Sequence, residues 1–253
     1  MRDLEERNWW FRAKRRLVYA LLNGGALPQG ARVLDVGCGT GATLLNLPAA
    51  YRGLGLDPST EALALCAERG LGALVRGSAT AIPLADATVD GVLALDALEH
   101  IDDDSSALRE IARVLRPSGV AILTVPAFPF LWSAFDEALH HRRRYTRRLL
   151  ARRIEGAGLE VLTGGFGYAT IFPAAAAYRL LRRWADGRRA HASHHGGAAD
   201  ERRRKRDFGE LPSWADEALF RLLRWEVPLV RRGLLPVGLS LVYVVAPAGR
   251  TGA

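Results

Sequence analysis

Ala31-Arg-Val-Leu-Asp35-Val-Gly37-Cys38-Gly39-Thr-Gly41 is a short, mostly apolar run that stops at three alternating glycines. Ala42 to Leu47 then reads as a helix, closed by Pro48. A strand feeding a glycine turn that opens a helix makes a sharp reversal free of side chains. Glycine permits positive φ there and lets a ligand approach the main chain closely. Tyr51–Leu56 reads as a second strand ending in Asp57, where an acid can accept both hydroxyls of a ribose. Pro58-Ser59 opens the next helix, which runs to Gly70.

Outward from that unit, short apolar strands are expected at Ala73–Arg76, Val89–Leu95 and Val120–Val125. The helix Ser105–Leu115 lies between the last two and ends at Arg116-Pro-Ser-Gly119. Strands alternating with helices at this spacing predict an α/β fold, with a parallel sheet covered on both faces. After residue 126 the pattern changes. A Pro/Phe/Trp segment (Pro126–Phe135) leads to an arginine-dense helix, Tyr145–Gly156, and a strand, Leu159–Leu162. An Ala-rich helix follows at Ala169–Trp184, then an aperiodic stretch, 186–207, read as a mobile loop. A helix at Ser213–Arg232 and a strand at Leu239–Ala246 close the chain, and residues 4–22 carry helical spacing ended by Asn23-Gly-Gly25. The expected organisation is an N-terminal helical cap (1–25), a core (26–168), a helical cap (169–235), and a final strand and tail (236–253).

The 253 residues are 49% hydrophobic and 25% charged, inside the globular range, which excludes disorder and fibrous repeats. The formal net charge of +8 is almost entirely arginine, since Lys14 and Lys205 are the only lysines. That charge leaves acidic partners and anionic surfaces open without specifying nucleic acid. Cys38 and Cys66 are the only cysteines, so no disulfide framework exists, as in a reducing cytoplasm. The charged N-terminus does not read as a signal peptide, and the stretches Tyr168–Tyr178 and Gly233–Gly249 are too short or too broken by proline to span a bilayer. A cytoplasmic protein, at most peripheral to a membrane, is expected.

The glycine spacing selects the nucleoside. A dinucleotide turn reads G-x-G-x-x-G, whereas this one reads G-x-G-x-G with Asp35 two residues ahead, an anion that repels a pyrophosphate and suits a cationic ligand. Leu34-Asp-Val-Gly-Cys-Gly-Thr-Gly41 resembles the S-adenosylmethionine pocket of class I methyltransferases, in particular the small-molecule, type 11-like members. The resemblance implies a Rossmann-like, seven-stranded, mostly parallel sheet with helices on both faces and an α-helical insertion after the fifth strand. It implies that Asp35, Gly37, Cys38, Gly39 and Gly41 cradle the cofactor, with Asp57 and Pro58 at the ribose. Gly77-Ser78-Ala79, with Ile82-Pro-Leu84 and Val89-Asp-Gly-Val92, is similar to the adenine stretch; Ser78 stands where the family commonly has Asp, and the Ala79 backbone can share the contact. Leu95, Asp96 and the Leu98-Glu-His100 segment would flank the methionine moiety, and Leu115-Arg-Pro-Ser-Gly119 is similar to the turn before the fifth strand. Asn8-Trp-Trp-Phe-Arg12 resembles a helix preceding the core in small-molecule members. There Trp10 shields the sulfonium and Arg12 pairs with the methionine carboxylate, or the aromatics simply cap the sheet.

Methyl transfer is an in-line displacement that needs alignment and, for a hydroxyl acceptor, removal of a proton; it requires no metal in principle, and none is expected. The segment after the fifth strand faces the ligand side and ends His140-His141-Arg-Arg143-Arg144-Tyr145-Thr146, similar to an H-x-R-R-Y-T signature in part of the family. His141, His140 and Tyr145 are the catalytic candidates, and Arg143, Arg144 and Trp132 the substrate-binding ones. The alternative is that His141 and Arg144 pin this segment to Asp136 or Glu137. His191, His194 and His195 lack companion ligands and read as solvated. Nicotinamide chemistry is disfavoured by the glycine spacing, and the fourth strand's Leu95-Asp-Ala-Leu is not the N/D-P-P-Y of enzymes that grip a flipped base. The expected function is methylation of a small molecule, a hydroxyl of a specialised metabolite, by a monomer or homodimer. The alternatives are a lipid-linked or membrane-proximal acceptor, since Tyr168–Trp184 and Trp214–Trp225 mix aromatics with arginine, an RNA acceptor, or a non-catalytic cofactor-binding protein.

Overall fold

The computed structural model describes residues 2–24, 27–189 and 211–249. Seven strands form one sheet: β1 (Ala31–Val36), β2 (Tyr51–Asp57), β3 (Leu74–Arg76), β4 (Val89–Leu95), β5 (Leu115–Pro126), β6 (Leu159–Gly167) and β7 (Ser240–Pro247). Their order is β3-β2-β1-β4-β5-β7-β6. Neighbours from β3 to β5 run parallel, whereas β7 runs antiparallel to both β5 and β6. In β1, β4 and β5 nearly every successive side chain is buried, including Val33, Leu34, Val92, Leu93, Ile122 and Leu123. Burial at both phases of the pleat means the sheet is covered on both faces.

The helices are α1 (Arg2–Arg7), α2 (Trp9–Leu22), α3 (Ala42–Leu45), α4 (Thr60–Glu68), α5 (Asp104–Val114), α6 (Ala134–Ala138), α7 (Arg147–Gly156), α8 (Phe172–Arg189) and α9 (Ser213–Arg231). The periodic stretch 4–22 is two helices rather than one, because Asn8 is an extended N-cap whose side chain accepts the Trp10 amide hydrogen. The long helices α8 and α9 lie between β6 and β7, so the helical insertion follows the sixth strand; only a short 3₁₀ turn (Pro129–Leu131), α6 and α7 follow the fifth. Helix α8 continues to Arg189, into the stretch expected as a loop, and residues 190–207 of that stretch lie outside the described residues.

Two strands exceed their sequence limits for identifiable reasons. Leu115 pairs with Val89 and Val120 with Gly91, so Arg116–Gly119 is an excursion within β5 opposite Asp90. Arg116 donates to the Asp90 carboxylate at 2.6 Å, and a Cβ on Gly119 would meet the Asp90 carbonyl at 2.9 Å. Strand β6 runs on through Gly164, Gly165 and Gly167 because they pair with β7; a Cβ on Gly164 would lie 2.5 Å from the Tyr243 ring.

Candidate functional site

The carboxyl ends of β1, β2 and β4 converge on the glycine turn. Gly37, Gly39 and Gly41 have φ of +74°, +54° and +77°, the left-handed region that glycine enters without penalty. The Gly37 and Cys38 amides donate to the Leu56 carbonyl at 2.8 and 3.1 Å, fixing the turn against β2. Around Gly41 there is no room: an added Cβ would lie 2.4 Å from Leu71 Cδ1 and 2.9 Å from Cys66 Sγ. Around Gly39 there is open space, with nothing within 4 Å. The Cys66 thiol donates to the Gly39 carbonyl at 3.2 Å, and burial pushes the Cys38 thiol up.

Asp57, buried at the end of β2, accepts the Gly39 amide on Oδ2 and the Ser59 amide on Oδ1, each at 2.9 Å. Ser59 in turn caps α4, its hydroxyl accepting from the Ala62 amide at 3.1 Å, and Pro58 between them is exposed. Asp35 is buried, and burial pushes its carboxyl up to about 7; the nearby Lys14 opposes the shift and Asp57 adds to it. Lys14, from α2, forms an ion pair with Asp96. Asp96, beside Leu95, has φ +51°, and its Oδ1 accepts the Thr124 hydroxyl at 2.9 Å. Burial favours its neutral form, yet Lys14 and Thr124 hold it below the ordinary carboxylate value.

The remaining cofactor candidates are distributed differently. Trp10 packs at a tilt of 46° against Tyr168 with centroids 4.5 Å apart. Arg12 is engaged with α9: it pairs with Asp216 at 3.1 Å and Glu217 at 3.0 Å and lies over the Phe220 ring at 4.1 Å. The exposed Ser78 hydroxyl shares a 2.8 Å hydrogen bond with Thr80, while Ala79 packs against the core.

A second cluster sits where the 3₁₀ turn Leu98–His100 meets the segment after β5. The Arg142 amide donates to the Glu99 carbonyl at 2.7 Å, tying the two together. The rings of His100 and His141 meet edge-to-face with centroids 4.8 Å apart. His141 Nδ1 lies 3.0 Å from Asp136 Oδ1. Asp136 is fully buried and also receives Arg144 Nε at 2.7 Å and Arg179 Nη1 at 3.1 Å. Burial opposes its charge, but His141, Arg144 and Arg179 hold its pKa down to about 2. Arg144 is itself buried and donates to the Ala127 carbonyl at 2.9 Å, so His141 and Arg144 do pin this segment to Asp136.

Tyr145 is buried, and its hydroxyl donates to Asp104 at 2.8 Å; burial and then Asp104 push its pKa well above the ordinary phenol value, making it a weaker acid. Arg143 is engaged with Asp104 at 3.0 Å and with the Asp102 carbonyl at 2.8 Å. Trp132 Nε1 donates to Glu137 at 3.2 Å, and His140 is exposed with φ +58°. Glu99 is fully buried and neither carboxylate oxygen has a hydrogen-bond partner; burial, then Asp96, raises its pKa well above the usual value.

Lys14 and Glu99 were not legible as site residues. Lys14 could have been noted as one of two lysines in the chain, sharing a helix with Trp10. Glu99 carries no signal beyond its place between Leu98 and His100.

Residues 34–123 match the family described as "Methyltransferase domain". A probable S-adenosylmethionine-dependent methyltransferase of Mycolicibacterium smegmatis is 34% identical over 162 residues, covering 62% of this chain and 62% of that protein. O-methyltransferase rstn1 of Aspergillus nomiae is 37% identical over 98 residues, 35% of this chain and 44% of that protein. The chain thus spans less than two thirds of the length of these curated relatives. Among solved structures, a chain of the complex between the Haloferax volcanii Trm112 methyltransferase activator and a putative methyltransferase superposes with TM-score 0.59 at 20% identity. That superposition covers 100% of this chain and 94% of that one, a likeness of fold. Residues 34–123 are thus similar to a methyltransferase domain, and the Mycolicibacterium smegmatis relative over 62% of this chain is named as S-adenosylmethionine-dependent.

Proposed function

We propose that this chain transfers a methyl group from S-adenosylmethionine to a hydroxyl of a small-molecule acceptor, a specialised metabolite. The observation that carries the reading is the doubly bonded Asp57: its oxygens are oriented by Gly39 and Ser59 and retain lone pairs for two ribose hydroxyls. The open space at Gly39 fits a ligand lying against the main chain, and the Asp35 and Asp96 carboxylates fit a cationic one. When bound, the cofactor supplies a methyl group already activated on a sulfonium.

The protein's part is positioning and proton handling. Trp10 stands on α2 with Lys14, two side chains suited to shielding the methionine end. His141, oriented by Asp136, takes the acceptor's proton as that oxygen bonds to the methyl carbon and the carbon–sulfur electron pair stays on sulfur. Tyr145 and Arg144 act by holding the His141 segment in place, and His140, Arg143 and Trp132 line the acceptor side. The relative named as an O-methyltransferase supports oxygen as the acceptor atom.

Calorimetric titration with S-adenosylmethionine, S-adenosylhomocysteine and NAD, on the wild type and Asp57→Ala, tests the reading. Micromolar binding of both adenosyl ligands, lost in the variant, supports it. A folded protein silent toward both sinks it.

A second reading, a lipid-linked acceptor at a membrane surface, is favoured by Trp214 and Trp225 on α9, which are 75% and 78% exposed. Among the described residues no helix is long and apolar enough to cross a membrane. Co-sedimentation with anionic vesicles, lost on Trp214→Ser with Trp225→Ser, would support this reading, and an unbound wild type would end it.

A further inference from the structure

We propose that Glu99, His100 and His141 bind one divalent transition-metal ion, and that this ion holds the acceptor hydroxyl. The second half of the statement rests on the methyl-transfer reading; the first does not.

The donor atoms of the three side chains lie within 4.8 Å of one another. A metal ion with bonds of about 2.0–2.2 Å holds its donors roughly 3–3.5 Å apart, so side-chain movements of about 1 Å close the set. Two imidazoles on one such ion place their centroids about 4.5–5 Å apart, and the His100 and His141 centroids are 4.8 Å apart. Edge-to-face packing of two rings would account for that distance alone. It does not account for Glu99, a fully buried carboxyl with no hydrogen-bond partner on either oxygen, beside both rings. Leaving such a group uncompensated is costly; Lys14 and Arg144 act on it only through space, without a hydrogen bond, and a bound ion supplies the direct partner both oxygens lack.

The surroundings match what metal-bound histidines need. One ring nitrogen of His141 is engaged by Asp136, and His100 makes a hydrogen bond to the His140 backbone. Each ring is thereby oriented with its other nitrogen left for a ligand bond. The Arg142–Glu99 backbone bond fixes the two contributing segments to each other. Asp96 adds negative charge next to Glu99 and His141. One carboxylate and two imidazoles suit a borderline ion such as Zn(II), Mn(II) or Fe(II), and three protein donors leave positions open for substrate oxygen. There the ion polarises the acceptor hydroxyl. With the ion bound, His141 serves as its ligand rather than as the base, and the hydroxyl's proton passes to water as the oxygen–carbon bond forms and the carbon–sulfur pair stays on sulfur.

The experiment is titration of the full, chelator-treated chain with Co(II) followed by visible absorption, with Zn(II) as competitor. One equivalent is expected in the wild type and in a chain with His191, His194 and His195 all replaced by Ala, with affinity reduced at least a hundredfold in Glu99→Gln and in His100→Ala. His100 is exposed, so its variant keeps the test valid if Glu99→Gln misfolds. No stoichiometric binding by the wild type, or wild-type affinity in His100→Ala and in a folded Glu99→Gln, overturns the site. Binding of S-adenosylhomocysteine, measured in parallel, separates this outcome from failure of the methyl-transfer reading.

Discussion

Gly39 donates its amide hydrogen to the Asp57 carboxylate at 2.9 Å, joining the turn after β1 to the end of β2. Asp57→Asn leaves one amide group facing a backbone N–H that it cannot accept from. Losing a hydrogen bond to a charged group is worth about 1.5–3 kcal/mol. Calorimetry is therefore expected to give S-adenosylhomocysteine affinity lower by roughly 10- to 100-fold, with circular dichroism unchanged.

Gly39→Ala and Gly41→Ala should separate binding from folding. At Gly41 a methyl group meets Leu71 and Cys66, so thermal melting should show a loss of about 2–4 kcal/mol from overpacking and left-handed strain. At Gly39 the space is open, so only the backbone strain, about 1–2 kcal/mol, is expected. Ligand binding should nevertheless vanish there, because the methyl group occupies the cradle. Equal stability losses in the two variants would contradict the packing difference.

Asp35 should make the ligand-free protein less stable as pH rises. Its folded carboxyl is raised to about 7, with Lys14 and Asp57 as its charged neighbours and Tyr19 and the Cys38 thiol also close. The folded form therefore keeps a proton that the unfolded chain releases near pH 4. Stability from this group is full below pH 4, falls between about 4 and 7, and is flat above, a total of about 4 kcal/mol. Chemical denaturation at pH 5 and pH 8 should show the fall in the wild type and its absence in Asp35→Asn.

Asp136→Ala removes the shared partner of His141, Arg144 and Arg179. Arg144 is then a buried cation without its carboxylate, a change of about 3–5 kcal/mol. Urea denaturation should detect that loss. Arg144→Lys alone, with Asp136 in place, keeps the charge but not the two-directional geometry and should lose only part as much.

The cofactor half was legible because its signals are local. Val89–Leu95 is mostly apolar and forms β4 with those limits, and Asp35, the glycines and Asp57 sit on consecutive strand ends. The rest depends on partners far along the chain. Arg12 finds Asp216 and Glu217 on α9, more than 200 residues away, which no spacing encodes. The glycines of β6 have no side chain to register a strand until β7 pairs with them. Glu99 looks like any surface acid in sequence; only the tertiary fold buries it without a partner.

The sheet order places β3, β2, β1 and β4 on one side and β5, β7 and β6 on the other, with every long insertion attached to the second group. On the proposed function, a lineage can vary its acceptor through the stretch of gene after residue 126 while inheriting the nucleoside half intact. The constraint on that exchange is the seam where Trp9 and Arg12 of α2 meet Asp216 of α9. Descendants that replace the insertion must preserve this seam or rebuild it, and graft experiments between relatives should respect the same boundary.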